Sequence, residues 1–189
     1  MGRLRVRIIG PPRSGTNLLK YLAARHLPVD VVFNEGFWKH GVFPALVDGG
    51  RLSYGGLPML VLSRDPISQI VAWHRLAMNT RHIFGQVGSL RDFVRGPMTM
   101  ELKSYPPHTI RFRFARPIEY WNQFYIPPLS LRASGFPLHF IRYEDIARTP
   151  DLVLRTIAGF LGVDLVDGPD EVVALPGHCL LYTSPSPRD

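Results

Sequence analysis

Four polar side chains and two glycines crowd one short stretch near the start of the chain. Gly10, Arg13, Ser14, Gly15, Thr16 and Asn17 all fall within IIGPPRSGTNLL. An apolar run precedes them and a helical pattern comes after. This is the layout of a loop that binds an anion at a helix N-terminus. Successive backbone N–H groups from Arg13 to Asn17 would form an anion nest, each contact contributing roughly 0.3–1 kcal/mol when exposed. Gly10 and Gly15 let the backbone approach the anion closely. Ser14, Thr16 and Asn17 add hydrogen bonds, and Arg13 adds a permanent, two-pronged charge. The two glycines have the spacing of a Walker A loop, G-x-x-x-x-G. That motif continues with Lys and Ser/Thr, whereas this chain continues with Thr16 and Asn17. The lysine for β- and γ-phosphates and the hydroxyl for Mg²⁺ are both missing. No metal-ligand set is apparent.

A second candidate is Arg64 in LSRDPISQIVAWHR. It stands after a strand pattern and before a helical one, where ligands of open α/β sheets collect. It could hold a second phosphate. The plainer alternative is a salt bridge with Asp65 or another surface group.

The elements that must carry these residues can be read from periodicity. Residues 4–9 read as a buried strand, and Thr16 to about His26 as a helix with Leu18, Leu19, Leu22 and Ala23 on one face. Strands are expected at 29–33, 59–63 and 137–145. ISQIVAWHRLAM reads as a helix with Ile67, Ile70, Val71 and Leu76 inward. Residues 117–126 read as a helix with Pro117 near its start. In 149–162, Thr149 is expected to cap a helix, with Pro150 at its first position and Gly162 at its end. Residues 89–95 suit a short helix, and the rest of 79–116 is harder to read. Strands alternating with helices predict a three-layer α/β fold, P-loop NTPase-like, around a central parallel sheet.

The 189 residues suggest one domain. The chain is 46% hydrophobic and 20% charged, enough to bury a core. It has no run of about 18 apolar residues, so no membrane span is expected. MGRLRVRIIG goes directly into a strand pattern without a signal peptide, which predicts a soluble cytoplasmic protein. Val6 breaks the myristoylation pattern that Gly2 would begin. The net charge of +7 fits an anionic ligand. No basic run of five or more residues appears, and nucleic acid is not the expected partner.

The last residues, CLLYTSPSPRD, resemble one reading frame of a transposase-type sequencing adapter. The expectation is a single native domain over 1–178, with 179–189 not native and the natural chain continuing past His178. Cys179, the only cysteine, would then be lost, and with it any disulfide or thiol chemistry.

GPPRSGTNLL, SRDPISQIVAW and IRYEDIARTPDLVLRTIAGFLGV occur in the order found in sulfotransferases that use 3′-phosphoadenosine 5′-phosphosulfate (PAPS). The resemblance covers most of residues 5–163. It implies a metal-independent enzyme that moves a sulfuryl group from PAPS to a hydroxyl or amine, releasing 3′,5′-adenosine bisphosphate. PAPS has no γ-phosphate, which suits a Walker-like loop without its Lys-Ser/Thr pair. The resemblance implies that Pro12, Arg13, Ser14, Gly15, Thr16 and Asn17 hold the phosphosulfate. Arg13 stands where many relatives have a catalytic lysine; it would act as an electrostatic clamp on the leaving phosphate. Arg64 matches the arginine on the 3′-phosphate, and Tyr143 a residue that contacts adenine. The sequence departs from the pattern twice. Ala72, eight residues beyond Arg64, replaces a usual serine, and Ser68 and Arg75 are the candidates to substitute for it. Leu18 stands where a tryptophan often stacks on adenine.

In-line sulfuryl transfer also needs a proton acceptor, worth about 10²–10⁴-fold. FNEGFWKHG, residues 33–41, resembles the place where many cytosolic sulfotransferases keep a Lys and a His. His40 is the expected base, Lys39 its electrostatic helper and Glu35 the competing carboxylate. Trp38, Phe37 and Phe43 suit a core or pocket wall. RFRFARPIEYWNQFY reads as an alternating strand or rim and then a helix with Tyr120, Trp121 and Phe124 facing the core. Glu144 and Asp145 suit a strand end that binds backbone or arginine. Two other functions stay open: a P-loop kinase of nucleotides or small molecules, and a truncated nucleotide-binding module without catalysis. The acceptor (carbohydrate, lipid, phenol or peptide) and the oligomeric state are not readable.

Overall fold

The strand MLVLS and the end of LRVRII are apolar on both sides, which suits a sheet covered on both faces. The computed structural model describes residues 2–33, 38–42, 56–79, 87–105 and 108–166. Its central sheet has β1 (Leu4–Ile9), β2 (Val29–Val32), β3 (Met59–Ser63) and β6 (Leu138–Arg142) in the order β2-β1-β3-β6. All three pairings are parallel. The helices are α1 (Thr16–His26), α2 (Pro66–Asn79), α3 (Leu90–Arg95), α4 (Pro117–Ala133), α5 (Tyr143–Arg148) and α6 (Pro150–Leu161). This is the α/β architecture with a central parallel sheet that the sequence predicts.

Alternation along the strands sorts the core into two layers. Val6, Ile8, Leu60 and Leu62 pack with α1 and α6 against Leu19, Leu22, Leu154 and Ile157. Ile9, Met59 and Val61 point the other way, against Trp73, Phe124, Tyr125 and Leu131 of α2 and α4. An antiparallel hairpin, β4 (Met98–Tyr105) and β5 (His108–Phe114), closes that second layer with Met98, Met100 and Phe114.

Several boundaries and faces differ from the sequence reading. The strand expected at 137–145 ends at Arg142, which pairs with Ser63, the last residue of β3. With no partner strand beyond, Tyr143 starts a helix. The helix expected at 117–126 runs through Pro127 and Pro128 to Ala133. Two prolines remove two backbone donors, but Phe124, Pro128 and Leu131 are buried and hold the turn in place. On α2 the inward residues are Gln69, Ile70, Trp73 and Ala77, while Ile67 is 74% exposed. The apolar stripe is thus rotated from the one expected. Thr149 does precede α6, and Gly162 ends it with φ 66°. The Thr149 hydroxyl donates back to Asp145 O at 3.2 Å instead of capping α6.

Candidate functional site

The loop from Gly10 to Asn17 leaves the carboxyl end of β1 and enters α1 without a side-chain cap. The first-turn N–H groups of α1 have no carbonyl behind them in the helix. Two residues bend the loop: Gly15, at φ 97°, and Arg13, at φ 64°. Arg13 is the only non-glycine residue with positive φ among the described residues. Such a conformation persists only where surrounding contacts impose it.

Those contacts come from three directions. Pro12 O accepts the Trp73 indole N–H at 2.6 Å and also the Gln69 amide. Arg13 O accepts Arg64 Nη1 at 3.0 Å. Gly10 O faces His40 Nδ1 at 2.5 Å, and Gly10 N–H donates to Lys39 O at 3.1 Å. Loop carbonyls are therefore held by α2, by the end of β3 and by the 38–42 turn.

Arg64 and Tyr143 meet at the same edge. Arg64 follows β3, and its guanidinium lies 4.5 Å above the Tyr143 ring. Tyr143 follows β6 and packs against Gly15 so closely that a Cβ there would sit 2.6 Å from Tyr143 Cδ2. Trp121 Nε1 donates to Arg64 O at 3.2 Å and Tyr125 OH to Leu62 O at 2.9 Å, so α4 braces the end of β3. Burial pushes the Tyr125 hydroxyl pKa far up, keeping it a neutral donor.

Two buried donors at this edge, Ser14 Oγ and Arg64 Nε, lack a hydrogen-bond partner, as do two acceptors, Gln69 Oε1 and Glu144 Oε2. Unpartnered buried donors call for an explanation. A phosphorylated ligand in the loop supplies one, and the donor set of Arg, Ser, Thr, Asn and first-turn N–H groups suits it. Among the described residues no cluster of three His, Cys, Asp or Glu could hold a metal ion.

The other candidates divide. Lys39 Nζ donates to Asn17 Oδ1 at 2.8 Å and lies 3.8 Å over the Phe33 ring. Lys20 Nζ stands over the same ring at 4.9 Å. Desolvation, then repulsion from Lys20, brings the Lys39 ammonium down to about 8. His40 is enclosed; desolvation outweighs its bond to Gly10, and Lys39 adds repulsion, so its pKa falls to about 3. Ser68 is exposed and its N–H donates to Asp65 Oδ2 at 2.7 Å, a helix-capping bond away from the loop. Glu144 Oε1 accepts Asp65 N–H at 3.0 Å, the backbone role expected of it. Trp38 stacks on Phe112 at 6.4 Å. Glu35, Phe37 and Phe43 lie outside the described residues, as does 167–189.

Sequence reasoning missed Gln69, Trp73 and Phe33. A glutamine facing inward four residues before a tryptophan, on a helix otherwise apolar there, was the available signal for the first two. Phe33 gave none, since its partners Lys20 and Lys39 converge only in space.

No family model and no curated protein matches the sequence. Solved structures do. The chain is similar to mouse sulfotransferase SULT7A1, solved in complex with PAP, with a TM-score of 0.53 and 14% identity over 87% of this chain. It spans 61% of that mouse chain. It is also similar to a sulfotransferase from Alicyclobacillus acidocaldarius, with a TM-score of 0.50 and 15% identity, covering 91% of this chain and 84% of that one. The protein therefore has a sulfotransferase-like fold. Among the described residues no helix is long and apolar enough to cross a membrane.

Proposed function

We propose that this protein moves a sulfuryl group from PAPS to a hydroxyl or amine acceptor without a metal ion. The observation that carries the reading is the uncapped, strained loop at α1, backed by Arg64 and Tyr143, with Thr16-Asn17 where Walker A needs Lys-Ser/Thr. The neighbour solved with PAP supports it. PAPS supplies the activated sulfuryl group. The first-turn N–H groups of α1, with Ser14, Thr16 and Asn17, would hold the phosphosulfate end. Arg13 would neutralise charge on the leaving phosphate, which positioning and electrostatics must do in this kind of transfer. Arg64 would take the 3′-phosphate, and Tyr143 the adenosine side.

Calorimetry of the full chain with 3′,5′-adenosine bisphosphate in EDTA tests this. Binding is expected without metal, weakened about 10- to 100-fold by either Arg13→Ala or Arg64→Ala, since each removes charged hydrogen bonds. Preference for Mg-ATP over the bisphosphate would favour the kinase reading instead. One feature favours a binding module without turnover: Ala72 brings no hydroxyl to the position eight residues after Arg64. Bisphosphate binding with no sulfuryl transfer to any acceptor would support it.

A further inference from the structure

We infer that Lys39, from its place at Asn17 on the loop rim, takes the proton from the acceptor, and that His40 is a positioning residue that fixes the 38–41 turn. The inference rests on the sulfuryl-transfer reading and exchanges the roles that the sequence suggests for this pair.

His40 is built into the fold on both its side chain and its backbone. A carbonyl can only accept, so the short contact to Gly10 O puts the proton on Nδ1. His40 O accepts Tyr120 OH at 2.6 Å from α4. Beside it, Lys39 O accepts Gly10 N–H, and Gly41 N–H donates to Trp38 O at 2.9 Å. The Trp38 ring packs edge-on, 5.4 Å from the imidazole. A second proton on this ring would place a cation in an enclosed site next to Lys39. His40 therefore stays neutral across the physiological range and is a poor proton acceptor.

Lys39 leaves the same turn toward α1. Its Nζ reaches the first turn of α1 through Asn17, the end of the helix where an anion would be held. The charged group that faces it is Lys20 from α1, over the same Phe33 ring; His40 adjoins it neutral, and Glu35 lies outside the described residues. An amine that titrates near 8 is close to the best strength for a general base at neutral pH.

The step balances. As the acceptor oxygen or nitrogen bonds to sulfur, its proton passes to Lys39 Nζ. The bond from sulfur to the 5′-phosphate oxygen breaks, and its electron pair leaves on that oxygen. Arg13 holds the charge. Lys39 becomes cationic as negative charge builds on the transferring group, so one side chain does two jobs in sequence.

The test uses the full chain, with water as the acceptor and release of labelled sulfate from PAPS as the signal. Competitive acetylation of Lys39 across pH, on the free chain, gives a readout independent of turnover. Lys39 is expected to half-titrate near 8. Sulfate release should rise through that pH and level off. Lys39→Met should remove this pH limb and about 10²–10⁴-fold of the rate. His40→Asn keeps a donor for Gly10 O; it should lose at most about 10-fold and keep the limb. Half-titration of Lys39 above 10, a wild-type profile with no limb, or a limb lost in His40→Asn or Glu35→Gln but kept in Lys39→Met would overturn the assignment. Failure of the wild type to bind the bisphosphate at all would instead remove the sulfuryl-transfer reading, whatever Lys39 does.

Discussion

Trp73 donates its indole N–H to the carbonyl of Pro12 at 2.6 Å, joining the buried face of α2 to a loop 61 residues earlier. The bond fixes the residue just before the strained Arg13. Trp73→Phe keeps most of the apolar volume and removes the donor. Gln69 still serves Pro12 O, so the lost bond should cost about 0.5–1.5 kcal/mol, and the cavity left by the smaller ring at this fully buried position adds to it. Bisphosphate binding should fall by more than that loss explains, because the loop is no longer set. Urea unfolding and calorimetry on the same variant separate the two effects; equal losses would mean that Trp73 is only a core residue.

Arg13→Gly should split stability from binding. The left-handed conformation costs an arginine about 1–2 kcal/mol, and glycine adopts it freely. Glycine also loosens the unfolded chain, by roughly 0.5–1 kcal/mol. The net change in unfolding free energy should lie between zero and about +1.5 kcal/mol. The bisphosphate should bind at least about 10-fold more weakly. A clear drop in thermal stability would show that the arginine side chain carries structure rather than ligand.

Gly15→Ala should damage both. Its φ of 97° is unfavourable for alanine, and the new Cβ meets the Tyr143 ring at 2.6 Å. Loop or ring must shift, at a cost of about 1–3 kcal/mol. Adding Tyr143→Ala should recover the steric share of that cost. A double-mutant cycle with no coupling would contradict this packing of ring on glycine.

Acid should destabilise the protein through His40 in a definable window. The imidazole titrates near 6.5 when unfolded and near 3 when folded. Between those values the unfolded chain binds more protons, so stability rises with pH across the window and is lost as pH falls through it. The Asp65 carboxyl, held below its usual range chiefly by the Ser68 N–H, contributes the same sign but only near and below its ordinary value of 3.8. Urea midpoints from pH 6.5 to 4.5 leave Asp65 out but include His139, whose pKa burial also lowers, so the difference between wild type and His40→Asn isolates His40. His40→Asn should flatten that slope.

The parts of the fold that could be read in the sequence are those whose local signals agree. β1, the glycine loop and α1 succeed one another with an apolar strand, two glycines and a one-sided helix, and the structure has them at 4–9 and 16–26. The hairpin at 98–114 was legible in part: RFRF at 111–114 reads as an alternating strand, as β5 has it, while the same alternation in MTMELK at 98–103 went unread. The rotated face of α2 was hidden by Gln69, which counts as polar in any periodicity but is buried for its bond to Pro12. At the site, the loop, Arg64 and Tyr143 could be found by order along the chain. The ties of His40 to Gly10 and Tyr120 could not, since they depend on how the 38–42 turn docks onto β1 and α4.

The sheet order β2-β1-β3-β6 separates two kinds of evolutionary freedom. The three strands that end in the loop, Arg64 and Tyr143 are neighbours, and a change in one is felt by the other two through Tyr143. β2 stands at the margin, ends beside Phe33, and leads to the turn that bears Lys39. A lineage, or an engineer, that rewrites the segment after β2 must keep the 38–41 turn, which ties Gly10 and Asn17 of the loop. Under the proposed function, donor use is the inherited constant of this architecture, and the choice of acceptor is its editable edge.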